Sequence, residues 1–411
     1  MVLSGIPREA AASIAYLLAN FPCVAVLGAR QVGKTTLLRE LRPEAPTFDL
    51  ERRTHFDRIA ADPEFFLKQW DGPIVIDEAQ ELPALFPALR VAIDERRSTH
   101  GAYLLSGSSS PALLSGLTES LAGRVGLFEL NGLTISEFWH RPRSLLTELI
   151  SSRRPKDFAL LERRYTTNEL LETLLVGGYP EPVLKRNDPK FWHLWYENYL
   201  ATYIHRDIRR LFPGLQIDTY QLFIRMLAAA SGEIMNVANF ARSLDVSQPT
   251  AKSYFRIAEG TFLWRTIGSF TKNVTKRVTK MPKGYVRDSG LVCHLLRIRQ
   301  LEELRQHPRV GLLWESFVTE QLLRSFGNQL ISVAPHYYRT QNQAEVDLVL
   351  EGDFGIVPIE IKLGTLTEPK SLRAISDFIK EHRCPYGIVI NNSDEIAQLL
   401  PNIYQIPAAC L

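Results

Sequence analysis

Asp347, Glu360 and Lys362, in "EVDLVLEGDFGIVPIEIK", are side chains whose types and spacing suit metal-assisted hydrolysis of a phosphodiester. Two carboxylates supply hard oxygen ligands for Mg²⁺, which would act as Lewis acid and as source of hydroxide, and a lysine steadies the developing charge. Glu360 and Lys362 are two apart, so on a strand both point to one face, while Ile359 and Ile361 take the other. Asp347 lies thirteen positions before Glu360, and "GDFG" between them reads as a hairpin turn that returns one carboxylate to the other. Glu315, in "WESFVTEQLL", adds a third acid, and Gln343 and Glu345 flank the set. The expected metal ligands are therefore Glu315, Asp347 and Glu360, with Asp347, Glu360 and Lys362 as the catalytic groups. The plainer reading, a charged strand surface, fits less well with isoleucines on the opposite face.

A second chemistry stands near the start. "GARQVGKTT", Gly28 to Thr36, is a complete G-x-x-x-x-G-K-T that follows an apolar strand and opens a helix. Its glycines let the backbone approach phosphates, whose charge meets successive N–H groups and the helix N-terminus. Gly28, Gln31, Val32, Gly33, Lys34, Thr35 and Thr36 are thus expected to line ATP, with Lys34 at the β- and γ-phosphates and Thr35 on Mg²⁺. In "PIVIDEAQ" a buried strand ends in Asp77 and Glu78, Asp77 to help hold the Mg²⁺ and Glu78 to polarise the attacking water. Ser106 and Ser108 end "AYLLSGSS", where a small polar group can sense the γ-phosphate, and Arg124 in "SLAGRVG" is a candidate arginine finger, acting in its own subunit or in a neighbour. A turn for the serines and a boundary salt bridge for the arginine are the bland alternatives.

The elements that must position these residues follow from the pattern. Strand-like runs at "CVAVLGA", "PTFDLE", "PIVIDEA" and "AYLLSGSS" alternate with helical spacing as far as about Leu130, which predicts a parallel sheet covered by helices. A helix-rich stretch follows, with "GGYPEP" as a turn. Residues 234–260 read helix, turn, helix, with Ser247 as N-cap and Pro249 in the first turn. The second helix shows Lys252, Tyr254 and Arg256 among polar positions, and "KNVTKRVTKMPKGYVR" puts Lys272, Lys276, Arg277, Lys280, Lys283 and Arg287 in one run with no acid before Asp288. Such a run fits salt-dependent contact with nucleic-acid phosphates, or simply a solvated loop. Arg206 and Arg210 in "YIHRDIRR" read more readily as a solvated or interdomain surface. The expected segmentation is 1–133, 134–230, 231–300 and 301–411.

Composition bounds the rest. A net charge of +3 leaves nucleic-acid binding to local patches, and 45% hydrophobic with 23% charged residues is ordinary for a globular chain. Cys23, Cys293, Cys384 and Cys410 are scattered without a C-x-x-C pair, which speaks against a zinc ribbon and for a reducing, cytoplasmic setting. No signal peptide is evident, and no apolar run approaches the roughly 18 residues of a membrane span.

Taken together, "GARQVGKTTLL", "FDLE", "IVIDEAQ", "LLSGSSSPALL", "SLAGRV", "GGYPEP" and "YIHRDI" resemble a family of bacterial and archaeal AAA-type ATPases carrying a C-terminal domain of unknown function. The family usually has proline where Ala29 stands, a change that leaves the phosphate loop intact. The resemblance implies an α/β protein: a P-loop AAA+ parallel-sheet core, then a helical lid with a winged helix. The element order of the last hundred residues resembles the restriction-endonuclease-like, PD-(D/E)-x-K nucleases. The expectation is an ATP-hydrolysing protein acting on DNA or RNA with Mg²⁺-dependent nuclease activity, branched or R-loop-like structures being candidate targets. A homo-oligomeric ring, such as a hexamer, follows if Arg124 serves a neighbour. The alternative is a nucleotide-dependent switch or scaffold whose C-terminal domain binds a partner and does not cut.

Overall fold

The computed structural model describes residues 5–108, 117, 119–271, 281–340, 344–367 and 369–411. The chain forms two compact units, residues 1–132 with 260–262 and residues 133–259 with 263–411.

The first unit is built on five parallel strands, β1 (Cys23–Leu27), β2 (Thr47–Asp49), β3 (Ile74–Asp77), β4 (Tyr103–Gly107) and β5 (Val125–Glu129), in the order β2-β3-β4-β1-β5. Strands β1, β3 and β4 are buried throughout, as their unbroken apolar runs require of a sheet covered on both faces. β4 lies between β1 and β3, so the residues that end these three strands converge at one edge of the sheet.

The second unit contains a sheet of nine strands. They are β6 (Glu233–Ile234), β7 (Trp264–Ser269), β8 (Lys283–Val286), β9 (Val333–Arg339), β10 (Glu345–Gly352), β11 (Gly355–Ile361), β12 (Gly387–Asn391), β13 (Ala397–Leu400) and β14 (Ile403–Pro407). Their order is β13-β14-β12-β11-β10-β9-β7-β8-β6. The expected hairpin is present: β10 and β11 are antiparallel, joined at Asp353–Phe354, with Gly355 at φ 94° supplying the left-handed turn residue. The register that pairs Leu348 with Ile359 sets Asp347 opposite Glu360 one step further along. The ladder to β9 is irregular between Val346 and Val349, so Asp347 sits at a bulge, a feature that re-aims side chains at sheet edges and sites.

A parallel contact between β7 and β9 (Gly268 with His336, Ser269 with Tyr337) makes the strands before residue 300 continuous with those after it. The helix Val310–Asn328 is anchored to this junction through charge. Glu320, 3% exposed, faces Arg265, Arg287 and Arg324. Burial alone would raise its pKa, but the three guanidiniums more than reverse that and hold the carboxyl below its usual range.

Candidate functional sites

The nucleotide loop leaves β1 at Leu27 and enters the helix Lys34–Leu41. Gly33 stands at φ 97°, and a Cβ on Gly28 would lie 2.3 Å from the Leu130 carbonyl oxygen, so both positions need glycine. Gln31 is exposed and left-handed at φ 62°, Val32 is buried, and Thr36 is exposed. Lys34 is 5% exposed, and its Nζ donates to the Gly28 and Ala29 carbonyls at 3.0 and 2.9 Å. Burial lowers its pKa, and the nearby Glu78 and Asp77 pull it back up. The ammonium is held at the loop by weak neutral acceptors, which phosphate oxygens would readily outcompete.

Asp77, at the end of β3, accepts hydrogen bonds from Thr35 Oγ1 (2.6 Å to Oδ2), from its neighbour's Glu78 N–H (3.1 Å to Oδ1) and from the Ser106 hydroxyl. Thr35 and Asp77 thus hold two hard oxygens side by side at the loop, a donor set that fits Mg²⁺. Ser106 is 1% exposed, and its hydroxyl is engaged by Asp77. Glu78 turns out of the strand at φ 54°. Gln80, which in sequence is only the end of "IVIDEAQ", donates to Glu78 Oε2 and lies 3.3 Å from the Ser108 hydroxyl. Arg124 makes a two-pronged pair with Asp94 (both contacts 2.8 Å), so in this structure its guanidinium is engaged within its own unit.

The second site is a cavity of about 710 Å³ opening beside β10, β11 and the helix Pro369–His382. Six acids line it, and four of them stand in two couples, each bridged by a lysine; Glu345 also lies 3.9 Å from Arg339, and Glu233 and Asp377 complete the acidic lining. Lys362 Nζ lies 2.8 Å from Glu360 Oε1 and 3.5 Å from Asp347 Oδ2. Lys283 Nζ pairs with Glu315 Oε1 and lies 3.5 Å from Glu345 Oε1. Asp347 Oδ2 also accepts the Ile361 N–H at 2.8 Å, which fixes the carboxylate toward β11. Glu360 is 3% exposed, and its Oε2 is buried without a hydrogen bond. Burial, and then Asp347, push the Glu360 carboxyl up to about 7, with Lys362 and the nearby Ser371 hydroxyl opposing. Burial and Asp347 likewise push Glu315 up to about 8 against Lys283. Desolvation works against the charge on both lysines, but the surrounding carboxylates outweigh it and raise their pKa values. Arg339, Lys370 and Arg373, all exposed, rim the cavity.

Asp347, Glu360 and Lys362 therefore meet as their spacing predicted. Glu315 reaches the same cavity but is engaged by Lys283, and among the described residues no three acids, histidines or cysteines converge as a metal cage. The orphaned Glu360 oxygen, with Asp347 opposite, fits a divalent ion that takes one or two carboxylates and keeps its waters. Lys283 is the site residue that sequence reasoning misplaced. The basic run was expected at the surface, yet Lys283 and Tyr285 are 3% and 2% exposed, and Arg287 turns inward to Glu320. Their acidic partners come from the helix Val310–Asn328 and from β10, far along the chain. Lys272, Lys276, Arg277, Lys280 and Gln343 lie outside the described residues. Tyr254 is also a core residue, packed edge-on against Tyr220, whereas Lys252 and Arg256 are exposed. Arg206, inside a π-helical turn, Tyr203–Ile208, and Arg210, just after it, are both exposed.

The parallel sheet, the phosphate loop and the acid pair beside it define a P-loop ATPase of the AAA type. Sequence comparison agrees: an AAA domain matches residues 20–139, and domains of unknown function match residues 167–302 (DUF8612) and 310–411 (DUF4143). Two mycobacterial proteins, the uncharacterized Rv2008c of Mycobacterium tuberculosis and Mb2031c of Mycobacterium bovis, are each 37% identical over 347 residues, covering 84% of this chain and 71% of theirs. The chain belongs to their family and is an AAA-type, ATP-binding ATPase with a C-terminal domain of the DUF4143 kind. Among solved structures, the Walker-type ATPase PABY2304 of Pyrococcus abyssi is 15% identical and covers 70% of this chain and 95% of its own, at a TM-score of 0.44. That superposition is too loose to carry an argument. Among the described residues no helix is long and apolar enough to cross a membrane.

Proposed function

We propose that this ATPase acts on nucleic acid and that its C-terminal pocket cleaves phosphodiesters with Mg²⁺. The observation that carries the reading is the buried, unpartnered Glu360 Oε2 in a cavity it shares with Asp347 and Lys362. A desolvated carboxylate oxygen is costly in a folded protein unless a proton or a cation answers it, and a cation is the partner that keeps Glu360 charged. Asp347 and Glu360 would hold the metal, which supplies Lewis acidity and a hydroxide. Lys362, with its side chain 35% exposed, is free to turn from the carboxylates to a phosphate oxygen, and Arg339, Lys370 and Arg373 are placed to take the flanking phosphates.

In the same reading, the helices Val237–Ser243 and Gln248–Gly260 with strands β6 to β8 form a winged helix, whose exposed Lys252 and Arg256 contact the backbone of the substrate. Asn236 and Ser247 cap the two helices, which supports the turn between them. The segmentation 1–133, 134–230, 231–300 and 301–411 is proposed on the same footing; the matches at 20–139 and 310–411 favour its outer segments, while the match at 167–302 runs across the boundary at 230/231. At the nucleotide, Lys34 binds the phosphates, Thr35 and Asp77 hold Mg²⁺, and Glu78 orients the water. A hexameric ring with Arg124 acting in trans requires that Arg124 leave Asp94. Branched and R-loop substrates are included in the test on chemical grounds alone.

The decisive measurement is cleavage of labelled linear, single-stranded and branched nucleic acids with Mg²⁺ or Mn²⁺, with and without ATP. Cutting by the parent protein that disappears in Asp347→Ala and Lys362→Ala supports the nuclease. Intact ATP hydrolysis with no cutting and no salt-dependent binding rejects it for the second reading, a nucleotide-dependent switch or scaffold. That reading has one observation in its favour: each acid couple already has a lysine counter-ion.

A further inference from the structure

We infer that Lys283 is a built-in second cation of the carboxylate pocket. It neutralises the Glu315–Glu345 couple, so the pocket takes one divalent metal, on Asp347 and Glu360, and not two. The chemistry of that metal rests on the nuclease reading above, whereas the count does not.

Three observations lead there. First, the two lysines are not equivalent. The Lys362 side chain is 35% exposed and can move, but that of Lys283 is 4% exposed and arrives on β8, which pairs with β6 and β7 on either side. A buried ammonium persists only where acids hold it, and expelling it into solvent would break a buried ion pair. Lys283 is therefore a fixed part of the pocket.

Second, the buried oxygen without a hydrogen bond lies on the Asp347–Glu360 side. Glu360 Oε2 has no partner, while a Glu315 oxygen is paired with Lys283 and a Glu345 oxygen stands 3.5 Å from the same ammonium. Two-metal sites set their ions roughly 3.5–4 Å apart over shared carboxylates. Here the place of the second ion, between Glu315 and Glu345, is filled by the ammonium.

Third, a second divalent ion on Glu315 and Glu345 would have to displace the buried Lys283 ammonium that already stands between them. Mg²⁺ commonly binds through one or two carboxylates with several waters kept, so the Asp347–Glu360 couple is sufficient. Glu315 is then a holder of Lys283 and not a metal ligand, and Lys283 is a positioning residue that acts by fixing the charge of its couple.

The test counts bound Mn²⁺ by electron paramagnetic resonance in nucleotide-free protein carrying Asp77→Ala, which removes the metal of the nucleotide loop. One Mn²⁺ per chain is expected, abolished by Asp347→Asn and changed less than about threefold in affinity by Glu315→Gln. Lys283→Met should expose a second Mn²⁺ on Glu315 and Glu345, and Lys283→Arg should restore the count of one. If Lys283→Met does not fold, the double variant Lys283→Met/Glu315→Gln, with both partners of the buried pair removed, must still bind one. Two sites lost together in Asp347→Asn, or loss of Mn²⁺ in Glu315→Gln, overturns the inference. One Mn²⁺ in a protein that cuts no nucleic acid overturns the nuclease reading and leaves the count standing, and no Mn²⁺ at all overturns both.

Discussion

Replacing Lys362 by methionine removes the ammonium that separates Asp347 from Glu360, and the cost should depend on pH. That ammonium stands 2.8 Å from Glu360 Oε1 and 3.5 Å from Asp347 Oδ2. A pair at 4 Å is worth about 4 kcal/mol at an effective dielectric of 20, but partial exposure of this lysine screens the interaction, and about 1–2 kcal/mol is the realistic scale. Glu360 adds the pH dependence. Its carboxyl is pushed up to about 7 by burial and by Asp347, with Lys362 opposing. A carboxyl whose folded pKa exceeds its unfolded one favours folding while protonated, and that contribution is lost as pH rises through the folded value. Without Lys362 ionisation is harder still, so the penalty should open above about pH 7 at about 1.4 kcal/mol per pH unit until Glu360 finally ionises. Urea unfolding should therefore show the variant about 1 kcal/mol less stable than the parent at pH 6 and about 3 kcal/mol less stable at pH 8.5. Adding Glu360→Gln to the variant should flatten the difference. A penalty equal at both pH values, or larger at pH 6, refutes this account of the pocket.

Glu78→Gln should lower the ATP turnover number by about 10²–10⁴-fold with nucleotide affinity nearly unchanged, while Lys34→Ala should weaken binding itself; fluorescent-nucleotide titration beside steady-state hydrolysis separates the two. Glu320→Gln leaves Arg265, Arg287 and Arg324 without their shared carboxylate and should cost about 3–5 kcal/mol in urea unfolding at pH 7. Because the Glu320 carboxyl is held below its usual range, the stability it gives is present above the unfolded pKa and lost as pH falls, so parent and variant should converge in acid. Arg339→Ala and Arg373→Ala should each reduce the salt slope of nucleic-acid binding by about 1, measured by fluorescence anisotropy against salt concentration; slopes unchanged in both would remove the rim from the interface.

The phosphate loop was legible because its function is local. Gly28 to Thr35 are contiguous, and one strand, one turn and one helix N-terminus make the cradle whatever surrounds them. The D…E-x-K set was legible for a similar reason, since strand alternation and one hairpin bring Asp347, Glu360 and Lys362 together. What a side chain does when its partner lies far along the chain was not legible. That the Ser106 hydroxyl falls on Asp77 is seen only once β4 is placed between β1 and β3. Tyr254 looks polar beside Lys252 and Arg256, yet its helix turns it inward onto Tyr220.

Lys283 shows the limit most clearly. In sequence it is one cation among six, with no acid near enough to claim it, and the natural expectation is solvent or phosphate. Only the pairing of β7 with β9 and the packing of the helix Val310–Asn328 bring Glu315 and Glu345 to it. The sequence alone determined the phosphate loop and the strand face that Glu360 and Lys362 share, because those features reside in residue type and short-range geometry. The tertiary structure decided which charges face water and which face one another, because burial and long-range pairing set the electrostatic environment of an ionisable group.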